Sequence, residues 1–351
     1  MSWIRELARP DIVALKPYEH ASWEPSLERL HANELPWRPA DDDSRAGLNR
    51  YPEPQPRALV AGLAELYAVA PASVLVGRGS DEAIDLLTRA FCRAGTDAVL
   101  VCPPTFGMYS VSARIQGAEV VQAPLLAADG FAVDEDAVLD RCTAAVKLVF
   151  LCSPNNPTGN LLDEAAILRL ARRLAARALL VVDEAYIEFA GRPSLARLVA
   201  ELPNLAILRT LSKAYGLAGA RCGALIADPE IIALLRKIIP PYAIPALTLE
   251  AVLDRLTPAA RAQSRMGLEV LLAERERLLR ALPRLPGVTR VWPSDANFVL
   301  TEFADAGTSL ARAREARLLV RDARGYPGLG RALRITVGTP EQNGRLLEAW
   351  Q

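Results

Sequence analysis

Between residues 73 and 210 the chain carries six short aliphatic and β-branched runs: "SVLVG", "DAVLVC", "AEVVQAP", "VKLVFLC", "ALLVVDEA" and "LAILRT". Longer segments of helical period, such as "DEAIDLLTRAFCRA" and "DEAAILRLARRLAARA", separate them. A strand with one wet face would alternate apolar and polar residues, whereas these runs are almost continuously apolar, so both faces must be covered. The pattern predicts an α/β fold with a mostly parallel, doubly wound sheet and helices on both sides. In such a sheet ligands bind beyond the carboxyl ends of the strands, so the residues following each run are the candidates for chemistry.

After "PPYAIP" (240–245) strict alternation stops. A charged amphipathic stretch over 259–285 leads into "VTRVWP", "ANFVLTEF", "RLLVRD" and "ALRITVG", and a last helix in "PEQNGRLLEAW". The division expected is an N-terminal arm with part of a small domain (1–44), a large ligand-binding domain (45–245) and a smaller α+β domain (246–351). The proline-rich segment 25–57 reads as an extended arm.

Composition narrows the function. Lys plus Arg and Asp plus Glu balance at 41 each in 351 residues, so no net field recruits nucleic acid or an anionic membrane. No apolar run approaches the length needed to span a bilayer and the N-terminus lacks a secretory pattern, which makes the cytoplasm the expected compartment. Five cysteines without a CxxC pair read as buried, reduced thiols, and two histidines are too few for a His-rich metal site, so no metal is expected.

The strand-end residues are individually ordinary. Gly79, Ser80 and Asp81 open a helix, where Ser and Asp serve as N-caps but exposed amides also favour a phosphate. Phe106 follows "CPPT" and reads as a core aromatic or a ring-stacking platform. "SPNNPTG" reads as a turn, yet it offers two successive amides, Asn155 and Asn156, to a ligand. Asp183 stands at the mouth of a buried strand, where a carboxylate needs a partner. Lys213 follows the next strand; a surface amine is its ordinary reading, but partial desolvation would make it a usable nucleophile. Pyridoxal phosphate satisfies the whole set, since it needs a lysine for its aldehyde, an acid for its ring nitrogen, an aromatic face, an amide and helix-start amides.

The motifs "LKPYEHA", "LHANELP", "RYPEPQP", "GRGSDEAI", "CPPTFGMYSVSA", "CSPNNPTG", "VVDEAYIEF", "LRTLSKAYGLAGARCG" and "LRITVGT" resemble the histidinol-phosphate aminotransferase family of fold-type I pyridoxal-phosphate enzymes along nearly the full chain. Phe106 departs from the tyrosine that many members carry there. The resemblance implies that Lys213 binds the cofactor aldehyde and acts as general base, and that Asp183 pairs with the ring nitrogen. It also implies that Asn156 and Tyr186 hold the ring oxygen, and that Phe106 stacks on the ring. Gly79, Ser80, Asp81, Ser212 and Arg221 would form the phosphate site, with Tyr51 reaching in from the other subunit of a homodimer. Tyr18, Asn33, Arg321 and Arg334 would line the substrate site. Arg334, in an apolar strand, is either paired internally or aimed into a cleft, and Arg321 could instead bridge to Asp322. The reaction implied is transamination between histidinol phosphate and 2-oxoglutarate, with an aromatic aminotransferase or a threonine-phosphate decarboxylase as the alternative. Small molecules, not nucleic acid or a membrane, are the expected partners.

Overall fold

A computed structural model of the chain describes residues 2–21, 23–24 and 26–351. Seven strands form the larger sheet: β1 (Val74–Gly77), β2 (Ala98–Val101), β3 (Glu119–Gln122), β4 (Val146–Cys152), β5 (Leu179–Asp183), β6 (Leu205–Thr210) and β7 (Gly223–Ile226). Their spatial order is β1-β7-β6-β5-β4-β2-β3. All neighbours are parallel except β7, which runs antiparallel to both β1 and β6.

Burial on two faces explains the apolar runs. In β5, Leu180 and Val182 enter one core with Leu59, Leu63, Ile167 and Leu170 from helices Arg57–Tyr67 and Glu164–Arg173. Leu179 and Val181 enter the opposite core with Ile84, Leu87, Ile231 and Leu234 from helices Ser80–Phe91 and Pro229–Leu235. Each buried Leu, Ile or Val contributes roughly 1.5–3 kcal/mol of transfer free energy, and a polar residue on either face would forfeit it.

A second, antiparallel sheet joins β8 (Val288–Val291), β9 (Phe298–Phe303), β10 (Arg321–Asp322) and β11 (Ala332–Thr336) in the order β10-β11-β9-β8. Helices Pro258–Ala281, Ala306–Glu315 and Pro340–Ala349 cover it, with Trp350 packed edge-on against Phe303. The last of these helices opens on a capping box, Thr339 with Gln342, which satisfies two end amides reciprocally. The two sheets meet through Tyr186 and Phe298, whose rings cross at 89° with centroids 5.2 Å apart. Residues 15–56 contain neither helix nor strand where described, and the segment 25–57 read as extended ends in the first residue of helix Arg57–Tyr67.

Candidate active site

The carboxyl ends of β4, β5 and β6 open into one cavity of about 290 Å³. Its wall contains Gly79, Ser80, Asp81, Phe106, Asn156, Asp183, Tyr186, Ser212, Lys213, Arg221, Arg321 and Arg334. Twelve candidate residues separated by as much as 255 positions in the chain thus face one space.

Register explains how acid and amine converge. Asp183 ends β5 opposite Cys152 of β4 and Leu208 of β6, and Lys213 lies three residues past the end of β6. Asp183 is buried and accepts hydrogen bonds from the Tyr109 hydroxyl at 2.8 Å and the Ala185 amide at 3.1 Å. Burial pushes its pKa up to about 6, against the pull of those two donors. Lys213 is reachable through the cavity mouth, but desolvation of its ammonium, then the Arg334 cation, lowers its pKa.

The loop after β4 separates the two adjacent amides. Asn155 is consumed internally: its amide donates to Pro104 O and Thr158 Oγ1 at 2.8 and 2.6 Å, and its oxygen accepts from Thr105. Only Asn156 reaches the cavity, correcting the expectation of two ligand-facing amides. Its Nδ2 donates to the Tyr186 hydroxyl at 3.3 Å and its Oδ1 accepts from the Arg334 guanidinium, so Arg334 is both paired and cavity-facing. Asp322 pairs with Arg324 at 2.7 Å, so the alternative bridge to Arg321 goes to a neighbour, and Arg321 stands opposite Arg334 across β10 and β11.

The anion cradle depends on two glycines. Gly79 caps helix Ser80–Phe91 at φ +87°, and a Cβ there would lie 3.0 Å from Arg221 Nη2. At Gly223 a Cβ would come within 2.7 Å of Arg209 O and 2.9 Å of the Ser80 amide, so only glycine lets β7 approach the helix start. Arg221, itself left-handed at φ +53°, donates to Ser212 Oγ at 3.4 Å and pairs with Asp81 at 3.3 Å. Helix-start amides, a hydroxyl and a guanidinium make an anion site.

Tyr18, Asn33 and Tyr51 lie apart from this cavity. Asn33 and Tyr51 line a separate groove with Arg50 and Pro245, Tyr51 stacks on Tyr242 at 4.5 Å, and Tyr18 is exposed. Five wall residues were missed by the sequence reading: Cys152, Ala185, Thr210, Ala218 and Tyr326. Tyr109, one shell behind, was missed as well; its position three residues past Phe106 was the available signal. All five cysteines are free and buried. Among the described residues no helix is long and apolar enough to cross a membrane.

The residues fit pyridoxal phosphate on their own chemistry: a buried acid, an amine with lowered pKa, an aromatic face and an anion cradle border one cavity. This fold and site define an aminotransferase, and the family described as Aminotransferase class I and II matches residues 30–349. The chain is 50% identical over 354 residues, 98% of its length and 95% of the relative's, to a histidinol-phosphate aminotransferase of Stenotrophomonas maltophilia (strain R551-3). It therefore belongs to the histidinol-phosphate aminotransferase family within the class I and II aminotransferases. Among solved structures it is similar to the histidinol-phosphate aminotransferase from Sinorhizobium meliloti in complex with pyridoxal-5'-phosphate (26% identity, TM-score 0.79, covering 86% of this chain and 82% of that one). It is also similar to the L-threonine-O-3-phosphate decarboxylase from Porphyromonas gingivalis (28% identity, TM-score 0.73, covering 86% and 92%).

Proposed function

We propose that this aminotransferase moves the amino group of histidinol phosphate to 2-oxoglutarate with pyridoxal phosphate as cofactor, working as a cytoplasmic homodimer. The observation that carries the reading is that Lys213, Asp183 and Arg334 face one cavity in a chain half identical to a histidinol-phosphate aminotransferase.

Lys213 would bind the cofactor aldehyde, Asp183 the ring nitrogen, Asn156 and Tyr186 the ring oxygen, and Phe106 the ring face. Gly79, Ser80, Ser212 and Arg221 would hold the phosphate, with Asp81 steadying Arg221. When bound, the cofactor supplies an electron sink that acidifies the substrate's Cα–H. Lys213 removes that proton, and its lowered pKa enlarges the fraction of neutral amine at pH 7. Asp183, with a pKa of about 6, is mostly ionised at that pH and favours a protonated ring nitrogen. Arg321 and Arg334 stand opposite each other as register partners, and like charges so placed repel until an anion enters between them. One proposed substrate carries a phosphate and the other two carboxylates, and guanidinium pairs with carboxylate or phosphate in the same bidentate way.

The homodimer gives the arm its part: Tyr51 would reach the partner's phosphate site, and Tyr18 and Asn33 the substrate site. Leu30 and Trp37, 92% and 72% exposed in the single chain, are surface a second copy would cover.

The test is a panel of half-reactions followed by cofactor absorbance. Histidinol phosphate should convert the cofactor to its amine form and 2-oxoglutarate should restore it, with phenylalanine slower. Likeness to the threonine-phosphate enzyme favours a second reading, decarboxylation; release of carbon dioxide from threonine phosphate with no response to histidinol phosphate would replace the first reading by the second.

A further inference from the structure

We infer that Tyr109 is a positioning residue for Asp183, its hydroxyl fixing the acid's carboxylate in one orientation and holding it ionised while its ring seats Phe106. Tyr109 lies on helix Met108–Gln116, fully buried behind the cavity. Its ring stacks on Phe150 of β4 (centroids 4.8 Å apart, planes 6° apart) and meets Phe106 edge-on at 5.6 Å and 81°. The hydroxyl donates to Asp183 Oδ2 at 2.8 Å while the Ala185 amide donates to Oδ1 at 3.1 Å, so each carboxylate oxygen has its own donor and the plane of the group is set.

Packing alone does not require that hydroxyl. Phenylalanine would fill the same space between Phe150 and Phe106, and a buried phenol is costly unless it finds a partner. Tyr67 shows that this fold does not supply one automatically, because its buried hydroxyl has no protein partner among the described residues.

The groups facing Asp183 come from five elements. They are Tyr109, Cys152 at the end of β4, Tyr186 just after β5, Lys213 after β6 and Asp81 on helix Ser80–Phe91. Burial raises the Asp183 pKa, and Asp81 adds to it; Tyr109 is the largest influence in the opposite direction, ahead of the Ala185 amide and Lys213. Cys152 and Tyr186 stay neutral at pH 7, since burial raises both. Without the Tyr109 donor the midpoint of Asp183, at about 6, moves toward neutrality, where a large share of molecules would carry an uncharged acid. The use made of the charge rests on the proposed function; the hydrogen bond and its effect on Asp183 do not.

The test is Tyr109→Phe, which keeps the ring and deletes the hydroxyl. Infrared difference titration of the cofactor-free protein follows the Asp183 carboxyl band, assigned by its loss in Asp183→Asn. The midpoint should rise by about one unit, a tenfold change in proton affinity, and the acid limb of the transamination pH profile should move with it. An unchanged midpoint overturns the assignment. If Tyr109→Phe does not fold, 3-fluorotyrosine at position 109 decides: its more acidic phenol donates more strongly and should lower the midpoint, and no movement overturns the assignment. A midpoint that shifts in a protein without transaminase activity would sink the proposed function and leave Tyr109 in its role. An active enzyme with an unmoved midpoint would do the reverse.

Discussion

The cavity at the strand ends holds twelve of the candidate residues and the arm over residues 15–56 holds three, Tyr18, Asn33 and Tyr51, and the two regions are organised in opposite ways. In the cavity, functional side chains are placed by elements of their own chain or by the loops that end them: Asp183 by β5, Arg334 by β11, Ser80 by a helix start, Lys213 just past β6. Where described, the arm has no such elements. Its internal order comes from two carboxylates, Glu34, which binds Arg29, Arg50 and the Tyr51 amide, and Asp42, which binds Arg38 and the Ser44 and Leu48 amides, while Tyr18 (69%), Trp37 and Leu30 stand in solvent. A site built from the cavity can be understood from one chain; a role for the arm requires something outside it.

If that contrast holds, cavity substitutions should destroy chemistry at any protein concentration. Lys213→Ala removes both the attachment point and the base, and turnover should fall by at least about 10⁴-fold in single-turnover assays. Asp183→Asn should cost roughly 10²- to 10³-fold in kcat, the scale of losing one preorganised charge. It should also stabilise the cofactor-free protein. The native pKa of Asp183 is raised from 3.8 to about 6, so the native state binds more protons than the unfolded chain between those values and stability falls as pH rises through that window. The cost is fully present above about pH 6, and removing it should gain up to about 3 kcal/mol at pH 7 and nothing near pH 3. Denaturant melts at the two pH values check the sign; wild type being the more stable protein at pH 7 would contradict the burial argument.

Arm substitutions should instead act through association. Replacing Leu30 and Trp37 by serine removes apolar surface worth about 1.5–3 kcal/mol per side chain if a second copy covers it, which weakens the dimer roughly ten- to a hundredfold for each. Sedimentation velocity across a dilution series reads this. Thermal unfolding of the dissociated chain should be unchanged, because neither side chain is buried within one chain.

The same contrast governs what was legible in the sequence. Strands β1, β2, β4, β5 and β6 were readable because burial on both faces forces continuous apolar runs, the edge strand β3 showed only its paired valines between exposed Glu119 and Gln122, and Asp183 and Lys213 stood out as charges at strand ends. β7 was not readable: "GALI" opens on a glycine directly after a glycine-punctuated loop, and its place between β1 and β6 depends on antiparallel pairing with β1, far away in the chain. Tyr109 was hidden because an aromatic on an amphipathic helix looks the same whether its hydroxyl has a partner or not. Asn155 was over-read, since composition cannot distinguish an amide that faces a ligand from one consumed by its own loop. The arm's motifs supported a family resemblance but no geometry, because what places them is scattered polar and ring contacts, such as Tyr51 on Tyr242 and Gln55 on the Val76 backbone, which leave no periodic pattern in the sequence.

The smallest expected effect discriminates best. Tyr51→Phe deletes one hydroxyl, and if that group donates to the cofactor phosphate the loss should be about tenfold in cofactor affinity, typical of a hydrogen bond to a charged group. Direction across the interface can be separated from magnitude by mixing chains. A heterodimer of Tyr51→Phe with Lys213→Ala has one site with Lys213 intact; if Tyr51 serves the partner, that site receives the unaltered tyrosine from the Lys213→Ala chain and binds cofactor with wild-type affinity. If Tyr51 serves its own chain, the same site keeps the phenylalanine and stays tenfold weak. The groove holding Tyr51 is separate from the cavity of its own chain, which favours the first outcome. Failure of the mixed dimer to recover affinity, with each homodimer behaving as expected, would return the arm to a purely intrachain role and dissolve its difference from the cavity.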